Sequence, residues 1–268
     1  MLPAALTLVG AGRMGAAMLD GWLAAGLDPA GTTIRDPHPS DAVARLCESR
    51  GIALNPLGIV AAEVLVLAIK PQGLADAAPA LDALIGPDTL VISILAGKTI
   101  ADLKARLRRA SAVVRAMPNL PASIGRGATG AVASPQVSAR QRAGANALLA
   151  ASGLVEWLGS EADIDALTAV SGSGPAYVFL LAEALAEAGV AAGLSPEVAA
   201  RLARATVSGA GALLDASALP AGELRRNVTS PGGTTAAALD VLMRADGMAP
   251  LLREAVAAAK RRAGELSG

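Results

Sequence analysis

Apolar positions follow two different rhythms along this chain. In the first half, short apolar runs recur at Leu6-Thr7-Leu8-Val9, Thr32-Thr33-Ile34-Arg35, Val64 to Ile69, Leu90 to Ile94 and Ala112 to Asn119. Runs this short, rich in Val, Ile and Leu and bounded by Gly, Pro or Asn, read as strands covered on both faces. Ala-rich stretches with helical spacing lie between them, notably Ala16 to Ala25 and Asp41 to Arg50. Strands alternating with helices predict a doubly wound α/β domain. From Asp163 onward the rhythm changes, and no strand is predicted. Helices are expected over Thr168 to Ala192, begun or interrupted at Ser171-Gly172-Ser173-Gly174-Pro175, and from Ser195-Pro196 to about Ala216. Shorter ones follow at Gly222 to Asn227 and Thr235 to Met243, with a last one from Pro250 to Glu265. Pro175 suits a first helical turn and Gly247 a stop. The expected division is 1–160, α/β, and 161–268, all helical.

Two glycine turns carry the candidate chemistry. After the first strand comes Gly10-Ala11-Gly12-Arg13-Met14-Gly15 and then a helix, which is G-x-G-x-x-G in its required setting. Gly10 permits the tight turn, Gly12 lets a pyrophosphate approach the backbone, and Gly15 lets helix and strand pack closely. The second strand ends at Arg35-Asp36, about twenty residues on, where an acidic side chain takes the ribose hydroxyls of NAD. Arg35 and His38 could instead meet a 2′-phosphate, so the choice between NAD(H) and NADP(H) stays open. Strand ends line the ligand crevice of such a sheet, which adds Ala68, Lys70 and Pro71 as candidate cofactor contacts; the ends of two further strands fall at Ala96-Gly97 and Asn119. The second turn, Ser230-Pro231-Gly232-Gly233-Thr234-Thr235, feeds a helix with Thr234 or Thr235 as N-cap. A glycine turn at the positive end of a helix suits a phosphate or a carboxylate.

Composition narrows the classes. Hydrophobic residues make up 53% but aromatics 1%, so the apolar fraction is Ala, Leu and Val, suited to closely packed helices. Lys+Arg and Asp+Glu are 23 each, and with no stacking platform nothing supports nucleic-acid binding. No basic leader precedes the first strand and no long uncharged apolar stretch occurs, so a cytoplasmic protein without a membrane span is expected. The single cysteine, Cys47, excludes an internal disulfide and reads as a buried helix thiol. No cluster has metal-ligand spacing. No His follows His38, and no Lys stands between Lys104 and Lys260. A histidine acid/base and a lysine-assisted alcohol oxidation are thereby disfavoured. Reduction of an imine fits better, because a protonated C=N accepts hydride without a strong general acid.

These blocks together resemble pyrroline-5-carboxylate reductase. The similarity rests on Gly10 to Gly15, Ala68-Ile69-Lys70-Pro71-Gln72, Arg115-Ala116-Met117-Pro118-Asn119, Ser171-Gly172-Ser173-Gly174-Pro175-Ala176-Tyr177 and Asn227-Val228-Thr229-Ser230-Pro231-Gly232-Gly233-Thr234-Thr235. The resemblance implies a Rossmann-type N-terminal domain, an all-α C-terminal domain that forms a homodimer and in larger assemblies a ring of dimers, and NADP(H) or NAD(H) as hydride donor. It implies cofactor contacts at Ile69, Ala96 and Gly97 as well, and that the substrate carboxylate rests on the amides of Gly233, Thr234 and Thr235. Thr235 matches the threonine beside the imine nitrogen, Asn227 a residue near substrate and cofactor, and Glu161 an acidic residue at the substrate pocket. Leu120 departs from the threonine the family carries there. Two rivals are weighed: a reductase of the same fold acting on another cyclic imine or a 3-hydroxyacid, and a dinucleotide sensor without turnover.

Overall fold

The structure is a computed structural model and describes residues 1–267. Its strands are β1 (Leu6–Val9), β2 (Thr32–Arg35), β3 (Ala53–Leu54), β4 (Ala62–Leu67), β5 (Ile85–Ser93), β6 (Ala112–Met117), β7 (Gly127–Ala133) and β8 (Gly153–Trp157). They form one sheet in the order β3-β2-β1-β4-β5-β6-β7-β8. β1 to β6 run parallel, β7 pairs antiparallel to β6, and β8 pairs parallel to β7. The order 3-2-1-4-5-6 is the dinucleotide-binding arrangement, whose switch point falls between β1 and β4.

The helices of this unit are α1 (Arg13–Ala24), α2 (Asp41–Arg50), α3 (Leu74–Asp82), α4 (Ile100–Arg106), α5 (Ala139–Ala150) and α6 (Asp163–Leu167). The core is split between the sheet's two faces. One cluster gathers Leu8, Ile34, Val66, Ile92 and Val114 with Met18, Leu19, Trp22 and Leu148, and the other gathers Val9, Leu65, Leu67, Val91 and Val113 with Leu74, Leu81 and Leu103. That alternation along each central strand is why the runs lack polar breaks: both faces are buried. Trp22 is wholly buried, and its indole N–H donates to the Leu148 carbonyl at 2.8 Å, tying α1 to α5. Cys47 is buried in α2, and burial pushes its thiol pKa up.

Three differences from the sequence reading have local causes. β4 stops at Leu67, so Ala68 and Ile69 form its exit turn rather than its last residues. β7, Gly-Ala-Thr-Gly-Ala-Val-Ala, was not predicted because its side chains are too small to make an apolar run. Small residues are required there, since a Cβ on Gly130 would collide with the Leu167 side chain. β8 is a short edge strand whose burial alternates, which gives little signal over five residues.

A second compact unit spans Ser173–Ala259, and the first unit takes in Met1–Gly172 together with the end of the last helix from Lys260. The second unit contains α7 (Gly174–Ala191), α8 (Pro196–Ala216), α9 (Ala221–Asn227), α10 (Thr234–Leu242) and most of α11 (Met248–Ser267). α7 and α8 lie against each other; a Cβ on Gly189 would sit 3.2 Å from Ala199 Cβ, so small residues set the spacing. No residue of α7 is buried, and Phe179, Leu180, Leu213, Leu214 and Leu251 are all more than half exposed or close to it. The helical run Asp163–Ala191 is long and apolar enough, by length and composition, to cross a membrane, although 11% of its most apolar window is buried. The sequence reading expected no such stretch because it required an uncharged run, whereas this one carries Glu183 and Glu187.

Candidate functional site

The G-x-G-x-x-G turn adopts the geometry its residues imply. Gly10 has φ +88°, and a Cβ there would lie 2.8 Å from the backbone of Ala68 and Ile69. Only glycine lets the exits of β1 and β4 come this close, and that juxtaposition is the switch point of the sheet. A Cβ on Gly15 would collide with the Gly10 carbonyl. Gly12 is the opposite case: it is exposed, caps α1 without any side-chain hydrogen bond, and has nothing within 4 Å of where a Cβ would be. The start of α1 therefore presents uncapped N–H groups and the positive end of a twelve-residue helix to open space. This cradle fits a dinucleotide pyrophosphate.

Beside it, the Asp36 carboxylate accepts from the Ala11 N–H at 2.7 Å and from the His38 N–H at 2.9 Å. Asn55 grips the Asp36 backbone from both sides, accepting from its N–H and donating to its carbonyl. Arg35 is turned away: its Nη2 donates to the Gly58 carbonyl at 2.8 Å and its Nε is buried without a partner. The His38 side chain is exposed. Ala68, Ile69, Lys70, Pro71, Ala96 and Gly97 all follow the carboxyl ends of β4 and β5, on the same edge as the turn. Arg13 is exposed and Met14 half-buried at the first turn of α1. Asn119 is buried, and its amide donates to Ser171 O and accepts from Ala128 N–H, both at 2.9 Å. Its amide joins the β6 exit to the π-helical turn Thr168–Gly172.

In the helical unit, α10 begins at Thr234. The threonines expected as N-cap are the first two helical residues, and Gly233 is the cap, because its extended ψ of 173° closes the turn. No side chain caps this helix. The Gly233 N–H donates to Ser230 O at 3.0 Å, which leaves those of Thr234 and Thr235 as the outward donors of the first turn. Gly233 is held tightly, since a Cβ there would collide with Ser230 Oγ. Asn227 closes α9 and is exposed. Glu161 lies in the first unit, where its carboxylate accepts from Arg115 at 2.9 Å and from the Ile100 N–H at 2.8 Å. Two residues have partners here that the sequence pattern does not reveal, although Arg115 belongs to one of the blocks that carry the resemblance. Asn55 sits in a loop without periodicity, and Arg115 sits inside an apolar strand where a buried charge is unexpected.

A cavity of 690 Å³ lies at the opposite edge of the sheet, lined among others by Glu63, Asp88, Ser138 and Arg140. Those residues flank the amino ends of the strands, away from the ligand edge of such a sheet.

Sheet order, glycine cradle and acidic strand end define a nicotinamide-dinucleotide oxidoreductase with a separate helical unit. Residues 161–266 match the family described as pyrroline-5-carboxylate reductase dimerisation, and residues 5–97 match that described as NADP oxidoreductase coenzyme F420-dependent. The chain is 42% identical to the pyrroline-5-carboxylate reductase of Pseudomonas aeruginosa, over 98% of this chain and 96% of that one. A solved pyrroline-5-carboxylate reductase from Coxiella burnetii superposes with a TM-score of 0.91 at 37% identity, over 99% of both chains. The enzyme of Plasmodium falciparum, solved with NADP bound, gives 0.80 at 26% identity, over the whole of both. The chain belongs to the pyrroline-5-carboxylate reductase family.

Proposed function

We infer that this chain reduces 1-pyrroline-5-carboxylate to L-proline with NAD(P)H and that it does so as a homodimer. The observation that carries the substrate assignment is the uncapped, glycine-led start of α10. A carboxylate there would accept from the Thr234 and Thr235 amides and lie at the positive end of the helix, two effects that act together. Gly233 keeps the approach free of a side chain, and Asn227 lies at the end of the preceding helix. In this reading the Thr235 hydroxyl hydrogen-bonds the imine nitrogen and keeps it polarised; its support is its place in the first turn of α10, beside the same N–H groups. The bound dinucleotide supplies the hydride, which adds to C5 while the nitrogen retains its proton, converting C=N to a secondary amine. The protein's part is to hold two reactants in register and exclude competing orientations.

The cofactor-binding set is Gly10 to Gly15, Asp36, Ala68 to Pro71, Ala96 and Gly97, with Asn119 behind them. Arg35 is engaged with Gly58 and Asp36 offers a carboxylate, so a ribose hydroxyl suits this pocket better than a 2′-phosphate. NADH is the expected better donor. We place the domain division at residues 160 and 161, where the match to the dimerisation family begins, ahead of the break between compact units at Gly172, and take the protein as cytoplasmic. The exposed apolar faces of α7, α8 and α11 account for the dimer and for the hydropathy of the run 163–191: a second copy covers them. Dimers assembled into a ring are the larger form proposed.

The test is oxidation of NADH and of NADPH with pyrroline-5-carboxylate, each followed by loss of the reduced nicotinamide's absorbance. Turnover with a higher kcat/KM for NADH is expected, and Thr235→Ala should lower kcat by about 100-fold at most, the lower end of acid–base assistance. Nucleotide binding without turnover on this or any six-membered cyclic imine would leave a sensor as the reading.

A further inference from the structure

The resemblance gives Glu161 a place at the substrate pocket, yet its hydrogen bonds point to another task. One oxygen, Oε1, accepts from Arg115 Nη1 at 2.9 Å and from the Ile100 N–H at 2.8 Å. Ile100 is the first residue of α4, directly after the loop that leaves β5 through Ala96 and Gly97. Arg115 stands on β6 in register with Ser93, the last residue of β5, and is only 4% exposed. A guanidinium held this deep, with a single carboxylate partner, is costly to desolvate, and such a pair adds little net stability over an apolar one. Its value lies in where it fixes things. From the other side, the last turn of α11 closes on the same loop. Gly97, at φ +70°, would bring a Cβ to 2.6 Å from the Leu266 carbonyl oxygen, so backbone meets backbone there. The loop is therefore held at both ends of a four-residue span by residues distant in sequence.

We propose that the Arg115–Glu161 pair is a positioning device that fixes the Ala96–Thr99 loop against the bound dinucleotide, with the last turn of α11 as the opposing jaw. The proposal rests on the assignment of Ala96 and Gly97 to the cofactor set. Glu161 acts through the start of α4 and touches neither reactant. Its own charge is held by Arg115, and the Thr99–Asp102 capping box completes the end of α4 independently.

Removing Glu161 alone would strand a buried guanidinium and risk unfolding. The informative variant is therefore Arg115→Met with Glu161→Leu, which removes both charges and keeps apolar volume. The dissociation constants of NADH and NADPH for the free protein are read by nucleotide fluorescence, and the KM for pyrroline-5-carboxylate is read at saturating dinucleotide. A folded double variant whose dinucleotide Kd rises about tenfold while the imine KM stays within about twofold supports the device; tenfold is the loss of one well-placed interaction. Arg115→Lys, which keeps a cation beside Glu161, should recover part of the lost affinity relative to the double variant. An unchanged Kd overturns the proposal, as does a rise in the imine KM with Kd unmoved, which would return Glu161 to the substrate pocket. Failure of the wild-type protein to reduce the imine would count against the function and leave this binding measurement intact.

Discussion

Two helix starts in this molecule look alike and differ from their neighbours. α2, α4, α5 and α8 are each entered from an extended Ser or Thr, namely Ser40, Thr99, Ser138 and Ser195, whose hydroxyl accepts from the first turn. α1 and α10 are entered from extended glycines, Gly12 and Gly233, and no side chain caps either. With glycine in its place, forgoing a Ser or Thr cap costs only about a few tenths of a kcal/mol at each end. α3, α6, α7 and α9 also start without a side-chain cap, so what sets α1 and α10 apart is the extended glycine at the cap, which keeps the first-turn N–H groups clear of a side chain. The two open starts are not equivalent. Gly12 faces empty space, whereas Gly233 is packed against Ser230. The first suits a large ligand laid across the turn, the second a small carboxylate gripped at its tip.

The sharpest way to break the comparison is Gly12→Val. Its side chain would enter open space, so thermal stability should change little, while dinucleotide affinity should fall by roughly 100-fold through displacement of the ligand. The control is Gly15→Val, where a collision with Gly10 should instead lower Tm and yield, as differential scanning fluorimetry would register. A smaller effect is expected at the other start. Gly233→Val collides with Ser230 and displaces the first-turn N–H groups, so it should raise the KM for pyrroline-5-carboxylate by about 10- to 100-fold, the worth of lost charge-assisted hydrogen bonds, with a small fall in Tm beside it. Equilibrium binding of NADH should not move; if it did, the two starts would not serve separate ligands.

The smallest effect belongs to an ordinary cap. Hydrogen bonds from the Thr99 backbone N–H and then the Thr99 hydroxyl hold the Asp102 carboxyl below its usual range. A pKa depressed on folding contributes stability that is present above the ordinary carboxylate range and disappears as pH falls through the depressed value. Asp102 is about a third exposed, so solvent screening keeps this to about half a kcal/mol. Asp102→Asn should therefore lower the neutral plateau of a Tm-against-pH curve slightly and leave its acid end unchanged, which flattens the acid limb.

Much of this was readable from the residues. The strand–turn–helix at 6–24 needed no tertiary information, because glycine spacing and an apolar run specify it locally. The same holds for α2, whose Ser40 cap and Gly51 stop bracket the predicted bounds. At α10 the reading was one residue out. Thr234 and Thr235 are good caps by type, but the two glycines before them already turn the chain, so the helix starts earlier. β7 was invisible for a different reason: its glycines and alanines are small because Leu167, 37 positions from Gly130, packs over them (a separation of about that size carries no local signal).

The sequence by itself determined the class of each half, the glycine turn after β1, the glycine-led start of α10 and the family, since each rests on short-range spacing and on residue types with few alternative uses. Only the tertiary structure decided the fate of the charged side chains. Arg35 donates to the Gly58 carbonyl, Asp36 accepts from the Ala11 N–H, and Glu161 accepts from Arg115 and from the N–H that starts α4. The physical reason is reach. A hydrophobic pattern is fixed by neighbours a turn or a strand away, whereas a long charged side chain takes whichever partner the fold brings within hydrogen-bonding distance, and those partners come from distant parts of the chain.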